Sequence, residues 1–234
     1  MNKLAFLSIL SSLSCFAYSA EGKTSVTLSS DTIYYHGPLS EEANNKVNSL
    51  ITKESSKIKW FSITSTGGEV NKGMALGDII FKHNLNVEVN EYCLSSCANY
   101  VFTSAQHHRI SNYATIGFHG GATGMKKGIE AFLESLPENE QKAKKEALKS
   151  YAKKTITREK NFFNKIGVNQ KITTLGQDAK YQEQHNLNNY VGWYYSLEDL
   201  KKLGVKNVEV INPHWNYKNL SEKTKFFKVS VTSI

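Results

Sequence analysis

Residues 63–76 read I-T-S-T-G-G-E-V-N-K-G-M-A-L. Upstream, residues 58–63 form a short apolar run. After the two glycines, Met74, Leu76, Ile79 and Ile80 fall at helical spacing over residues 70–82. A strand that breaks at a glycine pair and continues as a helix is the unit of a parallel sheet with crossover helices. The pattern extends both ways. Residues 24–35 alternate like a strand before a His-Gly-Pro turn, and residues 40–53 place Ala43, Val47 and Ile51 four apart on one helical face. Downstream, residues 85–89 read as a strand, residues 94–102 as a buried helix and residues 114–118 as another strand. Strand and helix alternating so closely imply one α/β domain on a mostly parallel sheet.

The character changes after Gly124. Residues 126–167 are charged and helix-rich, broken once at Pro137, and residues 125–191 are expected to form a helical arm or insertion. The tail at 194–211 returns to a helix and then a strand. A chain of 234 residues is long enough for one substantial core, taken here as residues 20–234. A hydrophobic content of 40% and a mean hydropathy of -0.43 fit a globular domain rather than a membrane bundle.

Residues 1–20 stand apart. Lys3 precedes an uncharged apolar stretch over 4–16, and Ala17, Ser19 and Ala20 are small. That is the layout of a secretory signal peptide. Cleavage after Ser19 makes residues 1–19 the leader and puts the protein in the periplasm or outside the cell. An uncleaved anchor and a lipoprotein signal at Cys15 are the alternatives. The net charge is +8, and much of the excess lies in residues 125–171. A solvated helical face explains it, as does a surface that meets anionic lipid or acidic polypeptide. Export argues against nucleic acid, for which no motif is present.

Three segments could carry chemistry. The pair Gly67-Gly68 turns backbone N–H groups outward, or simply makes a turn. C-L-S-S-C-A-N-Y-V-F, residues 93–102, puts serines at a helix start, as caps or as a nucleophile facing backbone N–H groups. Y-A-T-I-G-F-H-G-G, residues 113–121, ends an apolar strand at His119, a surface residue or a general base. Cys93 and Cys97, four apart on a helical turn, lie within disulfide reach. Zinc held by Cys93, Cys97, His107 and His108 is the competing reading, against the usual ligand spacing. No metal or other cofactor is expected.

Taken in order, the segments resemble the Clp protease proteolytic subunit, a member of the crotonase superfamily, and its exported relatives with a Cys-Ala-Ser-Ala-Cys motif. I-T-S-T-G-G-E-V-N-K-G-M-A-L is similar to the family's oxyanion loop and helix, C-L-S-S-C to its nucleophile segment and A-T-I-G-F-H to its histidine strand. Y-Y-S-L-E-D-L-K-K-L-G-V, residues 194–205, resembles its terminal element. The resemblance implies a repeated β-β-α superhelical fold with a helical arm. It makes Ser95 the nucleophile and His119 its base, with Gly67, Gly68 and the N–H of Ser96 as the oxyanion hole. Ser96 competes with Ser95 as nucleophile, and the interval of 24 residues from Ser95 to His119 fits the family better.

Two departures stand out. Thr66 replaces the family's proline, and no acid occupies the place of its third catalytic member. Asn189, Asn188, Asp178 and Glu183 are the candidates to orient His119. The expected function is therefore an exported serine peptidase acting on peptides or unfolded polypeptide. The alternative is an inactive binding module using its basic arm. Crotonase-type acyl-thioester chemistry fits poorly, because it leaves the serine and histidine idle. A lysine base, as in signal peptide peptidases, would fall to Lys72. The lysine-rich arm disfavours stacked rings and implies a monomer or small oligomer.

Overall fold

The computed structural model describes residues 23–54, 56–187 and 190–232. The expected leader, Cys15, Asn188 and Asn189 lie outside the described residues.

The alternating run at the start is two strands rather than one. β1 (Ser25–Ser29) pairs antiparallel with β2 (Thr32–His36) across a turn where Ser30 takes φ 53. Period-two alternation runs on through so tight a hairpin, so the pattern alone hides the turn. α1 (Glu41–Glu54) buries the expected Ala43, Val47 and Ile51. β3 (Trp60–Thr64) leads through the glycine pair into α2 (Val70–Lys82). Glu69 caps α2, its carboxylate accepting from the N–H groups of Asn71 at 3.0 Å and Lys72 at 3.1 Å.

β4 (Asn86–Val89) and β5 (Tyr92–Leu94) follow. The helix expected from Leu94 starts later, because Leu94 closes β5 and Ser95 turns the chain with φ 56. Only Cys97–Val101 is helical, as a π turn in which the N–H of Phe102 reaches the carbonyl of Cys97, followed by a 3-10 turn at Phe102–Ser104. β6 (His108–Ser111) and β7 (Thr115–Gly117) come next. The arm is a helical hairpin, α3 (Met125–Glu134) and α4 (Glu138–Ile166), with the break at Pro137 as expected. Short turns over 170–181 lead to α5 (Gln182–Leu187), β8 (Tyr190–Tyr195), α6 (Leu197–Lys202), β9 (Val208–Ile211) and β10 (Lys225–Val229).

The main sheet has the order β1-β2-β3-β4-β6-β9, parallel throughout except for the β1–β2 hairpin. A second tier of short pairings runs alongside it. Leu39 bridges Gly68, Ser65 bridges Cys93, β5 pairs parallel with β7, Phe118 bridges Trp193, and β8 pairs parallel with β10. Each of β3, β4 and β6 is thus followed by a short extended piece in the second tier and then by helix. That recurrence explains how the site is gathered. Gly67-Gly68, Ser95 and His119 end successive second-tier pieces, so equivalent positions in the repeat become spatial neighbours.

The core lies between the main sheet and the helices. Ile33, Phe61, Val87 and Ile110 are fully buried on the sheet and Met74, Leu76 and Ile80 on α2. Gly73 and Gly77 give α2 a bare face. A Cβ at Gly73 would come within 2.9 Å of Ser96 Cβ, and one at Gly77 within 2.8 Å of Phe162. The π turn and α4 therefore seat directly on α2.

Candidate active site

Gly67 adopts φ +90, a conformation that favours glycine, and a Cβ there would lie 2.8 Å from Ser95 Cβ and 2.9 Å from Ser96 N. The loop thus lies in contact with the serine turn. The N–H of Gly67 is spent on Ser65 Oγ at 3.1 Å, and its carbonyl accepts from Leu39 at 2.8 Å. Neither Gly68 nor Ser96 has a hydrogen-bond acceptor for its N–H among the described residues. Gly68 is exposed.

The two serines are separated by their surroundings. Ser96 is 1% exposed, and its hydroxyl donates to the Gly68 carbonyl at 2.7 Å. Ser96 therefore ties the helix start to the glycine loop. Ser95 is half-buried, and its hydroxyl has no hydrogen-bond partner among the described residues. Its backbone is held from both sides, by Ser95 N–H to Gly117 O at 2.8 Å and Asn99 N–H to Ser95 O at 2.8 Å. Cys93 and Cys97 are joined as expected, with Cα atoms 5.2 Å apart, and the bridge brackets Ser95.

His119 follows Phe118, whose N–H and carbonyl both pair with Trp193, at 2.8 Å and 2.7 Å. The β5–β7 register sets Leu94 beside Gly117, so Ser95 and His119 sit at the ends of neighbouring strands. The His119 ring is exposed and makes no hydrogen bond among the described residues, to Ser95 or to any other group. Desolvation by the surrounding protein holds its pKa below the usual value, opposed only by its own backbone. No carboxylate among the described residues acts on it. Asp178 is exposed and does not act on His119.

Two polar residues that sequence reasoning missed brace the turn after His119. Asn99, on the π turn four residues beyond Ser95, donates from Nδ2 to Gly120 O at 2.6 Å. Glu159, on α4, is fully buried. Its carboxylate accepts from Tyr100 Oη at 2.6 Å, Ala122 N at 2.8 Å, Thr123 N at 2.9 Å and Gln170 Nε2 at 2.8 Å. Burial, with the charge of Glu159 behind it, pushes the Tyr100 phenol well above its ordinary pKa. The signal for Glu159 was an acid on the stripe Ala152, Thr155, Phe162, Phe163 and Ile166. For Asn99 it was an amide inside an apolar run.

The zinc reading fails on the chemistry of its donors. Both cysteines are consumed by the bridge, and His108 is a core residue whose ring nitrogens face the carbonyls of Lys206 at 2.9 Å and Phe102 at 2.7 Å. Burial lowers its pKa. Among the described residues no three His, Cys, Asp or Glu side chains come together as a metal site. A cleft of about 470 Å³ opens at the N-terminal ends of β3, β4, β6 and β9, away from the serine. Its one arginine, Arg109, already lies 4.1 Å over Trp60 and pairs with Glu209 at 3.4 Å.

No family model and no curated protein matches the chain. Among solved structures it is similar to methylmalonyl CoA decarboxylase complexed with 2S-carboxypropyl CoA, at 7% identity over 41% of this chain and 48% of that one, TM-score 0.31. A second methylmalonyl CoA decarboxylase structure is 9% identical over 46% of this chain and 52% of that one, TM-score 0.34. The chain spans about half the length of these solved proteins.

Proposed function

We propose that the protein is a serine hydrolase of the crotonase and Clp-protease type that cleaves peptide bonds through an acyl-enzyme. The observation that carries the reading is Ser95. It is a non-glycine residue held at φ 56 and half-buried, with an uncommitted hydroxyl on a turn packed against the glycine loop, where the N–H groups of Gly68 and Ser96 lack acceptors among the described residues. A left-handed serine costs on the order of 1–2 kcal/mol and persists where the surroundings impose it. Here a disulfide and two backbone hydrogen bonds do so.

In this reading Ser95 Oγ attacks the carbonyl carbon of the scissile amide while its proton passes to the neutral imidazole of His119. The oxyanion receives the N–H groups of Gly68 and Ser96, worth roughly 3–4 kcal/mol for a single well-placed donor. The imidazolium then protonates the leaving amine, and water completes hydrolysis by the same route. The lowered pKa of His119 keeps it neutral and able to accept at physiological pH. Export to an oxidising compartment is part of the proposal and is supported by the residue pattern of the leader and by the cysteine bridge. So is an anionic surface for the arm, where Lys145, Lys149, Lys153, Lys154 and Lys160 are exposed along one helix.

A fluorophosphonate probe tests the reading. It is expected to label the protein, to lose Ser95→Ala and to retain Ser96→Ala, with a rate that falls on acidification with a midpoint below about 6.5. Folded protein that resists the probe, and leaves both casein and acyl thioesters intact, establishes the binding module instead.

A further inference from the structure

Among the described residues three buried side-chain atoms lack a hydrogen-bond partner, namely Asn44 Oδ1, Asn99 Oδ1 and Gln184 Oε1. Only Asn99 touches the candidate site. Its N–H bonds to Ser95 O at 2.8 Å, and Nδ2 bonds to Gly120 O at 2.6 Å. The second bond fixes which end of the amide is oxygen. A fully buried acceptor without a donor is unfavourable, and the large majority of such groups are satisfied.

His119 presents the complementary need. A neutral imidazole carries one N–H, and the partner of that N–H decides which nitrogen is left to accept a proton. No carboxylate among the described residues shifts the ring's titration, and the Asn99 amide holds the carbonyl of the very next residue, Gly120.

Resting on the hydrolase reading, we propose that Asn99 is the positioning residue of the site. Its Nδ2 pins the backbone after His119, and its Oδ1, unpartnered in the structure, accepts the imidazole N–H once the ring turns toward it and so leaves the other ring nitrogen to take the Ser95 proton. An amide does this without adding negative charge. That agrees with a histidine whose pKa lies below the ordinary value and owes nothing to a carboxylate.

The test is an NMR titration of the His119 imidazole in the full-length protein, its resonance assigned by loss in His119→Gln. Asn99→Asp is expected to raise the His119 midpoint by a pH unit or more and to move the acid limb of probe labelling with it. Asn99→Leu is expected to slow labelling at least tenfold. An unmoved midpoint in folded Asn99→Asp overturns the proposal, as does wild-type labelling by Asn99→Leu. Should Asn99→Leu fail to fold, the Asn99→Asp titration decides alone. A raised midpoint in a protein that no probe labels upholds the Asn99–His119 contact while removing the hydrolase reading, so the two failures are distinct.

Discussion

Ser95 and Ser96 differ by one peptide unit, and the backbone between them decides which hydroxyl is free. Their identity as candidates was legible in C-L-S-S-C, but their division of labour was not, because it rests on φ 56 at Ser95 and on the reach of Ser96 to a carbonyl 28 residues away. Asn99 and Glu159 escaped notice for a similar reason. Their partners, Gly120 and the 122–123 backbone, come from distant parts of the chain and carry no side-chain signature. Asp199 offers a residue-level test of stability. It takes Ser196 Oγ at 2.6 Å and the N–H of Val231 at 3.0 Å, and so docks the end of the chain on α6. Burial opposes its ionisation, but those hydrogen bonds and Lys202 prevail and hold its carboxyl below the usual range. A folded-state pKa below the unfolded one gives stability that is present above about pH 4 and lost as pH falls through the folded value. Asp199→Asn is therefore expected to lower unfolding free energy at pH 7 by about 1–3 kcal/mol, with the deficit shrinking by pH 3. Urea melts across that range check it, and a constant deficit contradicts it.

At the scale of elements, the periodicities at 70–82 and on either side of Pro137 matched the chain because helices with one apolar face declare themselves. β6, β8 and β10 did not. Segments such as H-R-I-S and Y-V-G-W-Y-Y mix polar and aromatic residues, and their burial comes from distant partners. The serine corner between β5 and the π turn is the element whose shape matters most. Closing so small a loop with Cys93–Cys97 contributes about 2 kcal/mol in the chain-entropy account. The paired variant Cys93→Ala with Cys97→Ala is expected to lose that much in urea unfolding and to label more slowly at Ser95. An unchanged unfolding midpoint and an unchanged labelling rate contradict this. α4 is the other decisive element. Its inner side reaches both loops of the site, with Tyr151 Oη on Glu69 at 2.5 Å and Glu159 under Ala122. The Tyr151 phenol, desolvated and facing that carboxylate, is pushed up to about 12. Arg158 adds a bond to Asn71 Oδ1 at 3.1 Å, and Lys165 pairs with Asp78.

For the molecule as a whole, the mostly parallel sheet followed from strand–helix alternation, whereas the second tier of pairings was implied only by the resemblance. α4 runs about 43 Å, and its lysines from 145 to 160 span about 22 Å of that. No helix among the described residues is long and apolar enough to cross a membrane. Copies packed arm to arm would crowd like charges, so light scattering at physiological salt is expected to give a monomer or small oligomer. A mass of seven or fourteen protomers contradicts that expectation. The wiring of the strands also makes the site depend on distant sequence. β6 meets β9 across 100 residues, from His108 to Val208, and the strand that presents His119 is flanked by Trp193. The segments that carry Ser95 and His119 thus lean on partners 75 to 100 residues further along the chain. The site's walls are therefore assembled only when distant stretches of the chain come together, so its shape reports on the fold as a whole rather than on any one segment.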